Sequence, residues 1–109
     1  SAENDLVTAA IHYMKENIEK KLSLTEIADH IGYSPSHFSI LFNKRTGYSP
    51  IYYFNQLKIQ QACQLLDFTD MKINQVCYKV GIDDSYYFSR LFSKMMGMSP
   101  KLYKKQQKG

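Results

Sequence analysis

Residues 73–103 read INQVCYKVGIDDSYYFSRLFSKMMGMSPKLY, and residues 24–53 read LTEIADHIGYSPSHFSILFNKRTGYSPIYY. Both stretches have the same order of apolar residues, glycines and Ser-Pro pairs, at an offset of 49 that becomes 50 after one inserted residue. The recurring positions of the second stretch are Ile73, Val76, Cys77, Val80, Gly81, Phe88, Ser89, Leu91, Phe92, Lys94, Gly97, Ser99, Pro100 and Tyr103. A repeat of this kind indicates that one supersecondary unit occurs twice in the chain.

Each copy carries local signals for a short helix, a tight turn and a longer helix. In the first copy Ser23 and Glu26 form a capping box, and Gly32 ends the short helix. Ser34 and the proline after it open the longer helix. In the second copy Asp84 is a good N-cap for the longer helix, whereas the start of the short helix is weakly marked. This order of elements predicts a helix-turn-helix in each copy.

The rest of the chain is helical by the same criteria. Residues 5–20 have apolar residues three and four positions apart, which predicts an amphipathic helix. A long helix over residues 50–66 would form a rod of about 25 Å. We therefore predict an all-α fold of about seven helices. In this fold two helix-turn-helix lobes, over residues 5–49 and 67–106, are joined by the shared linker helix 50–66.

The totals describe a globular chain with a basic second half. The chain is 44% hydrophobic and 22% charged, and no apolar run approaches the ~20 residues of a membrane span. Its net charge is +4, made of −1 in residues 1–54 and +5 in residues 55–109. This distribution favours a polyanionic partner, above all for the second half. Residues 1–20 lack the pattern of a secretory signal, and Ser1 stands where an initiator Met is expected. We therefore expect a cytoplasmic protein that was part of a longer parent chain.

The two cysteines do not indicate a metal or catalytic site. Cys63 and Cys77 fall among apolar positions of predicted helices, which favours buried thiols in a reducing cytosol over a disulfide. His12, His30 and His37 complete no metal-ligand spacing with them. We expect no metal ion, no cofactor and no catalytic residue.

The longer helix of each copy has an apolar inner face and an outer face of mostly short polar residues. The outward residues, which we predict to contact DNA bases, are Ser36, His37, Ser39, Ile40 and Asn43 in the first copy and Ser85, Tyr86, Ser89 and Arg90 in the second. Short hydroxyls allow the backbone to approach base edges closely. Arg90 can donate two hydrogen bonds to a guanine, and Ile40 can pack on a thymine methyl group. A merely solvated helix face is the competing interpretation, and the duplication at matched spacing argues against it.

Residues around these helices are candidates for contacts with DNA phosphates. We predict such contacts for Lys44, Arg45, Lys58, Lys79, Ser93, Lys94 and Lys101. A solvated helix surface is the competing interpretation for each basic residue taken singly. The tyrosines expected to pack inside the lobes are Tyr52, Tyr53, Tyr78, Tyr87 and Tyr103. Tyr86 is the exception, because it lies on the outer face of the longer helix in the second copy.

Many positions of the chain match one family pattern. The matching residues of the second copy are Val76, Gly81, Tyr87, Phe88, Phe92, Lys94, Gly97, Ser99 and Pro100. Those of the middle helix are Leu57, Lys58, Ile59, Ala62, Leu65 and Leu66. On these residues the chain resembles the tandem helix-turn-helix domain of the AraC/XylS family of bacterial transcription regulators, from residue 5 to about residue 105.

The resemblance implies sequence-specific binding to double-stranded promoter DNA, usually to activate transcription. Two homeodomain-like lobes would place their reading helices in successive major-groove segments on one face of the duplex. It further implies RNA polymerase as a partner, a place at the nucleoid, and a preceding effector-binding or dimerisation domain in the parent protein. No membrane association is implied.

The chain departs from the family pattern at four positions. Cys77 replaces a small alanine and Ile82 a phenylalanine, which are apolar exchanges that a core tolerates. Ser93 stands where a basic residue is common, and Ile40 where the family often has a base-reading arginine. Arg90 keeps the arginine of the second copy, so we expect direct guanine recognition mainly there.

Two other classes of function compete with DNA reading. A helical protein-interaction module could keep this fold and lose sequence recognition, and the apolar Ile40 on an outer face is the motive for that alternative. An enzyme is the third class, since some repair methyltransferases with a reactive cysteine carry a similar domain. Cys63 and Cys77 have no acid-base partner at a recognisable spacing, which argues against catalysis.

Overall fold

A computed structural model describes residues 1–108 of the chain, and every regular element in that range is an α-helix. The helices are α1 (Ala2–Glu16), α2 (Leu24–Ile31), α3 (Pro35–Thr46), α4 (Pro50–Phe68), α5 (Ile73–Lys79), α6 (Ser85–Met96) and α7 (Pro100–Lys108). The predicted all-α fold with seven helices is confirmed. No helix within the described range combines the length and apolarity needed to cross a lipid bilayer.

Local capping sets most of the helix ends, as the sequence predicts. The Ser23 hydroxyl accepts from the Glu26 amide, and the Glu26 carboxylate accepts from the Ser23 amide, both at 3.1 Å. The Asp84 carboxylate accepts from the amides of Tyr86 and Tyr87 at the start of α6. Gly32 ends α2 with a φ of 86°, a left-handed conformation that glycine adopts without steric cost.

Three helix ends differ from the prediction. Helix α1 spans Ala2–Glu16 rather than residues 5–20, because Ser1 caps its start and Asn17 closes its end by donating to the Tyr13 carbonyl at 2.8 Å. Helix α4 continues to Phe68, and the Thr69 hydroxyl donates to the Leu65 carbonyl at 2.6 Å. These corrections come from side chains that form hydrogen bonds with the first or last turn of a helix, which apolar periodicity does not reveal.

The chain divides into two compact units, and the boundary between Asn55 and Gln56 lies inside α4. The first unit comprises α1, α2, α3 and the start of α4. Its buried apolar residues are Val7, Ala10, Met14, Ile27, Ala28, Phe38, Leu41, Phe42 and Phe54. The second unit comprises the rest of α4 with α5, α6 and α7. Its core consists of Ile59, Ala62, Leu66, Val76, Cys77, Val80, Ile82, Phe88 and Phe92.

The aromatic cores of the two units are built alike. The rings of Phe42 and Tyr53 meet edge to face at 5.4 Å between centroids, and those of Phe92 and Tyr103 do so at 5.5 Å. Tyr53 lies in α4 and Tyr103 in α7, so the predicted repeat holds at the level of packing. Each pair joins the longer helix of a helix-turn-helix to the helix after it.

The repeat also extends to α1 and α4, where the sequence comparison does not show it. Val7, Ala10 and Met14 are the buried residues of α1, and Ile59, Ala62 and Leu66 repeat their spacing at an offset of 52. On this register Leu6 corresponds to Lys58. The offset differs from that of the other helices because the segment before α2 is three residues longer than the segment before α5.

Candidate nucleic-acid interface

Helix α3 buries one face and leaves the predicted base-contacting residues on the other. Phe38, Leu41 and Phe42 are buried, and Ser36, His37 and Asn43 are exposed, with Ser39 half-buried. Ile40 is 70% exposed, so its side chain is available for contact. This face is therefore polar at its edges and apolar at its middle.

Among the predicted DNA contacts on α3, the side chains of His37 and Arg45 have partners inside the first unit. The His37 ring lies 4.7 Å from the ring of Tyr33, and the Ser34 hydroxyl accepts from the His37 amide. The Arg45 guanidinium donates to the carboxylate of Glu3, and this hydrogen bond lowers the pKa of Glu3. A phosphate near Arg45 would have to compete with Glu3, whereas Lys44 is exposed beside it.

Helix α6 has the same division, with charge added on the outer face. Phe88 and Phe92 are fully buried beneath it. Ser85 and Arg90 are exposed, Ser89 is half-buried, and Tyr86 is 71% exposed. The guanidinium carbon of Arg90 lies 5.8 Å from the centroid of the Tyr86 ring, within the range of a cation–π contact.

A shallow groove of about 350 Å³ runs along one side of α6. It is lined by Tyr87, Arg90, Leu91 and Lys94. These positions are three or four residues apart, so they share one strip of the helix surface. The groove thus brings two cationic groups and a phenol together beside the predicted base-contacting residues. Of the other predicted phosphate contacts, Lys79 and Lys101 are exposed and Ser93 is half-buried.

Tyr78 and Tyr87 do not pack in the lobe core, so the prediction for these two residues is wrong. Tyr78 is 78% exposed and Tyr87 is about half exposed. In α5 the buried stripe is formed by Val76, Cys77 and Val80, and a residue at position 78 lies on the opposite side of that stripe. Position 87 lies at the edge of the buried stripe of α6, so its ring end reaches the surface.

Lys58 is not a surface residue, and the prediction that it contacts a phosphate is contradicted. Its side chain is only 3% exposed, and its Nζ donates to the carbonyl of Val80 at 2.7 Å. Burial lowers the pKa of Lys58 to about 8, because a charged ammonium is poorly solvated there. The sequence carried a signal for this placement, since Lys58 lies four residues before Ala62 and eight before Leu66, on the apolar stripe of α4.

Cys77 has a hydrogen-bond partner in the turn between α5 and α6. Its Sγ donates to the carbonyl of Ile82 at 2.7 Å, and burial raises the pKa of its thiol. Cys63 is half-buried, and burial raises its pKa as well. A raised thiol pKa disfavours the nucleophilic thiolate, so both residues suit packing better than catalysis. Within residues 1–108 no group of three or more His, Cys, Asp or Glu side chains is arranged to hold a metal ion.

Comparison with known proteins identifies the family. A family profile described as a helix-turn-helix domain matches residues 27–106. The MmsAB operon regulatory protein of Pseudomonas aeruginosa is 47% identical over 94 residues, which are 86% of this chain and 31% of that protein. The arabinose operon regulatory protein of Escherichia coli is 37% identical over 95 residues, covering 86% of this chain and 32% of that protein.

A solved structure agrees with these relatives. A transcriptional regulator with an AraC-type DNA-binding domain from Chromobacterium violaceum superposes with a TM-score of 0.89 at 28% identity, covering 97% of this chain and 95% of that one. The chain belongs to the AraC family of helix-turn-helix transcriptional regulators. It is a DNA-binding domain of that family, and the family is not one of enzymes. The chain spans about a third of the length of each of the two operon regulatory proteins.

Proposed function

We propose that the chain reads a two-part site in promoter DNA with α3 and α6 as its recognition helices. Each helix would lie in one of two successive major-groove segments, about 34 Å apart or closer if the DNA bends. The observation that carries this proposal is the matched division of the two helices. Both bury a Phe pair spaced by four residues. On the outer face each helix has one exposed and one half-buried serine, Ser36 and Ser39 in α3 and Ser85 and Ser89 in α6.

Helix α6 is the stronger reader in this proposal. Arg90 donates two hydrogen bonds to O6 and N7 of a guanine, which is a specific and charge-assisted contact. Ser85 and Ser89 allow close approach of the helix to the base edges. Tyr86 contacts a base or sugar beside the guanine, since its ring is exposed next to Arg90.

Helix α3 reads by different chemistry. Ile40 packs on the methyl group of a thymine, which requires an exposed apolar side chain at the groove floor. Asn43 can form two hydrogen bonds with an adenine. Ser36, His37 and Ser39 complete the contacts of this helix with base edges.

The phosphate contacts are proposed for the exposed basic residues. They are Lys44, Lys79, Lys94 and Lys101, with Ser93 as a hydroxyl donor and Arg45 wherever a phosphate displaces Glu3. We add Tyr87 to this set, because its phenol lines the same groove as Arg90 and Lys94. Such contacts fix the register of the protein on the duplex and supply most of the dependence of affinity on salt.

The relatives support a proposal for the role of the parent protein. Two of them are named as operon regulatory proteins, and this chain covers 31% and 32% of their lengths. We propose that the parent regulates transcription in the cytoplasm at the nucleoid, usually as an activator that contacts RNA polymerase. A further domain for effector binding or dimerisation would supply the signal.

Selection of bound sites from a random duplex library at physiological salt tests the proposal. The expected result is a motif with two half-elements roughly one helical turn apart, without a need for palindromy. If binding is tight only at low salt and indifferent to sequence, the helical protein-interaction module is the better description. The exposed Ile40 is the structural feature that favours this second candidate function.

A further inference from the structure

The turn between α5 and α6 is held by two buried side-chain donors. The Nζ of Lys58, from α4, donates to the carbonyl of Val80, and the Sγ of Cys77 donates to the carbonyl of Ile82, each at 2.7 Å. Val80 is the C-cap residue of α5, so its carbonyl belongs to the end of a helix, which attracts a cation. The carbonyls on either side of Gly81 are thus tied to α4 and α5.

The corresponding turn of the first unit has neither donor. Leu6 occupies the register position of Lys58, and Ala28 occupies that of Cys77. Neither leucine nor alanine carries a side-chain hydrogen-bond donor. The two turns share a glycine with positive φ and a hydrogen bond from the amide of the next residue to the carbonyl five positions earlier, Tyr33 to Ala28 and Ile82 to Cys77. The second turn is longer and has the two side-chain donors as well.

We infer that Lys58 and Cys77 are positioning residues. Their hydrogen bonds to the α5–α6 turn fix the orientation of α6 relative to the DNA bases, and neither residue contacts DNA. The inference rests on the proposed function of α6 as a recognition helix. Burying an ammonium group is expensive unless it is hydrogen-bonded, and the Val80 carbonyl is one of the groups that bind Lys58. The hydrogen bond therefore favours positions of the turn that keep this carbonyl within reach. Helix α6 starts three residues after Ile82, and a bidentate contact from Arg90 tolerates little misalignment.

The test replaces each donor by the residue that the first unit uses, in the 109-residue chain. The variants are Lys58→Leu and Cys77→Ala, with Lys94→Met as the matched control for a lysine that reaches phosphate. Affinities are measured for the selected DNA site and for altered sites, over a series of salt concentrations. The altered sites carry changes either in the half-element that α6 contacts (the α6 half) or in the half-element that α3 contacts (the α3 half). Circular dichroism checks that each variant is folded.

The wild-type chain should discriminate against a wrong base pair in either half by roughly 5- to 150-fold. In Lys58→Leu we expect discrimination in the α6 half to fall several-fold, with the α3 half and the slope of log affinity against log salt unchanged. Cys77→Ala should show a smaller loss in the same half. Lys94→Met should instead weaken all sequences alike and reduce the slope by about 0.9.

Three outcomes overturn the inference. One is a salt slope that falls in Lys58→Leu as it does in Lys94→Met, which would make Lys58 a phosphate contact. Another is unchanged discrimination in the α6 half for both variants. The third is an equal loss in both halves, which would indicate general destabilisation. If Lys58→Leu does not fold, Cys77→Ala alone decides, because alanine is accepted at the same place in the first unit. A wild-type chain that shows no discrimination refutes the proposed function instead.

Discussion

The two units use one packing scheme for different chemistry. Both join the longer helix of the helix-turn-helix to the following helix by a Phe–Tyr pair at nearly the same distance. The first unit exposes Ile40 on α3 and has Leu6 at the register position of Lys58, whereas the second exposes Arg90 on α6 and has Lys58 at that position. Duplication thus conserved the apolar scaffold and left the polar positions free to diverge. The consequence is that specificity and salt dependence should be unequally divided between the units.

The largest effect should come from the shared aromatic core. Phe42→Ala and Phe92→Ala each remove a fully buried ring that contacts a tyrosine, so each should lower the free energy of unfolding by about 3–5 kcal/mol. Urea denaturation followed by circular dichroism measures both. Ile40→Ala, at an exposed site, is the control and should change stability by less than about 0.5 kcal/mol. A large loss for only one of the two phenylalanines would show that the units are not equivalent in packing.

The buried lysine should give the second unit a pH dependence that the first lacks. Its pKa is about 8 in the folded chain and ordinarily near 10.5, so between these values the unfolded chain binds more protons. Stability of the wild-type relative to Lys58→Leu should therefore rise with pH from about 8 to 10.5, by up to about 3 kcal/mol, and be constant below that window. Urea denaturation of both proteins at pH 7, 8, 9 and 10 measures the difference. A flat difference over this range would show that Lys58 titrates normally.

The unequal base recognition can be tested at Arg90. Arg90→Ala should weaken the selected site by about 1–3 kcal/mol and relax preference at one position of the α6 half, because a bidentate guanine contact is lost. Fluorescence anisotropy with sites varied at each position measures this. Arg90→Lys is the informative control, since it keeps the charge and loses the fork of donors. Equal preference in wild-type and Arg90→Ala proteins would remove Arg90 from the base contacts.

The smallest effect should come from Ile40, the apolar residue that we propose contacts DNA in the first unit. Ile40→Ala should weaken binding by about 1–2 kcal/mol at a site with thymine in the α3 half, through loss of contact with its methyl group. The salt slope should not change, because no charge is removed. The same measurement on a site with uracil in place of thymine is the control, and there the variant and wild-type proteins should bind alike. A variant penalty that is the same on uracil and thymine would contradict methyl recognition.

Local signals in the sequence were sufficient for the helices and turns. The capping box at Ser23, the N-cap at Asp84 and the glycine after α2 all form as predicted, because each involves residues no more than four positions apart. The outer faces of α3 and α6 were predictable for the same reason, since helical periodicity separates them from the buried phenylalanines. The DNA contacts assigned to those faces stay predictions.

The burial and the partners of individual side chains were less predictable. Tyr78 and Tyr87 match the pattern of core aromatics in composition, yet their helical position leaves them at the surface. Arg45 binds Glu3, which is 42 residues away in sequence and has no pattern that points to it. Such pairs depend on the packing of α1 beside α3, which the sequence does not display.

The sequence by itself determined the number and order of the helices and the faces that α3 and α6 expose, because capping and periodicity act within one or two turns. Only the tertiary structure decided what Lys58 does. Its place on the apolar stripe of α4 indicates burial, but its hydrogen-bond partner is not visible in the sequence. Folding brings the Val80 carbonyl, 22 residues along the chain, within 2.7 Å of the ammonium group, and this hydrogen bond offsets part of the cost of burying the charge.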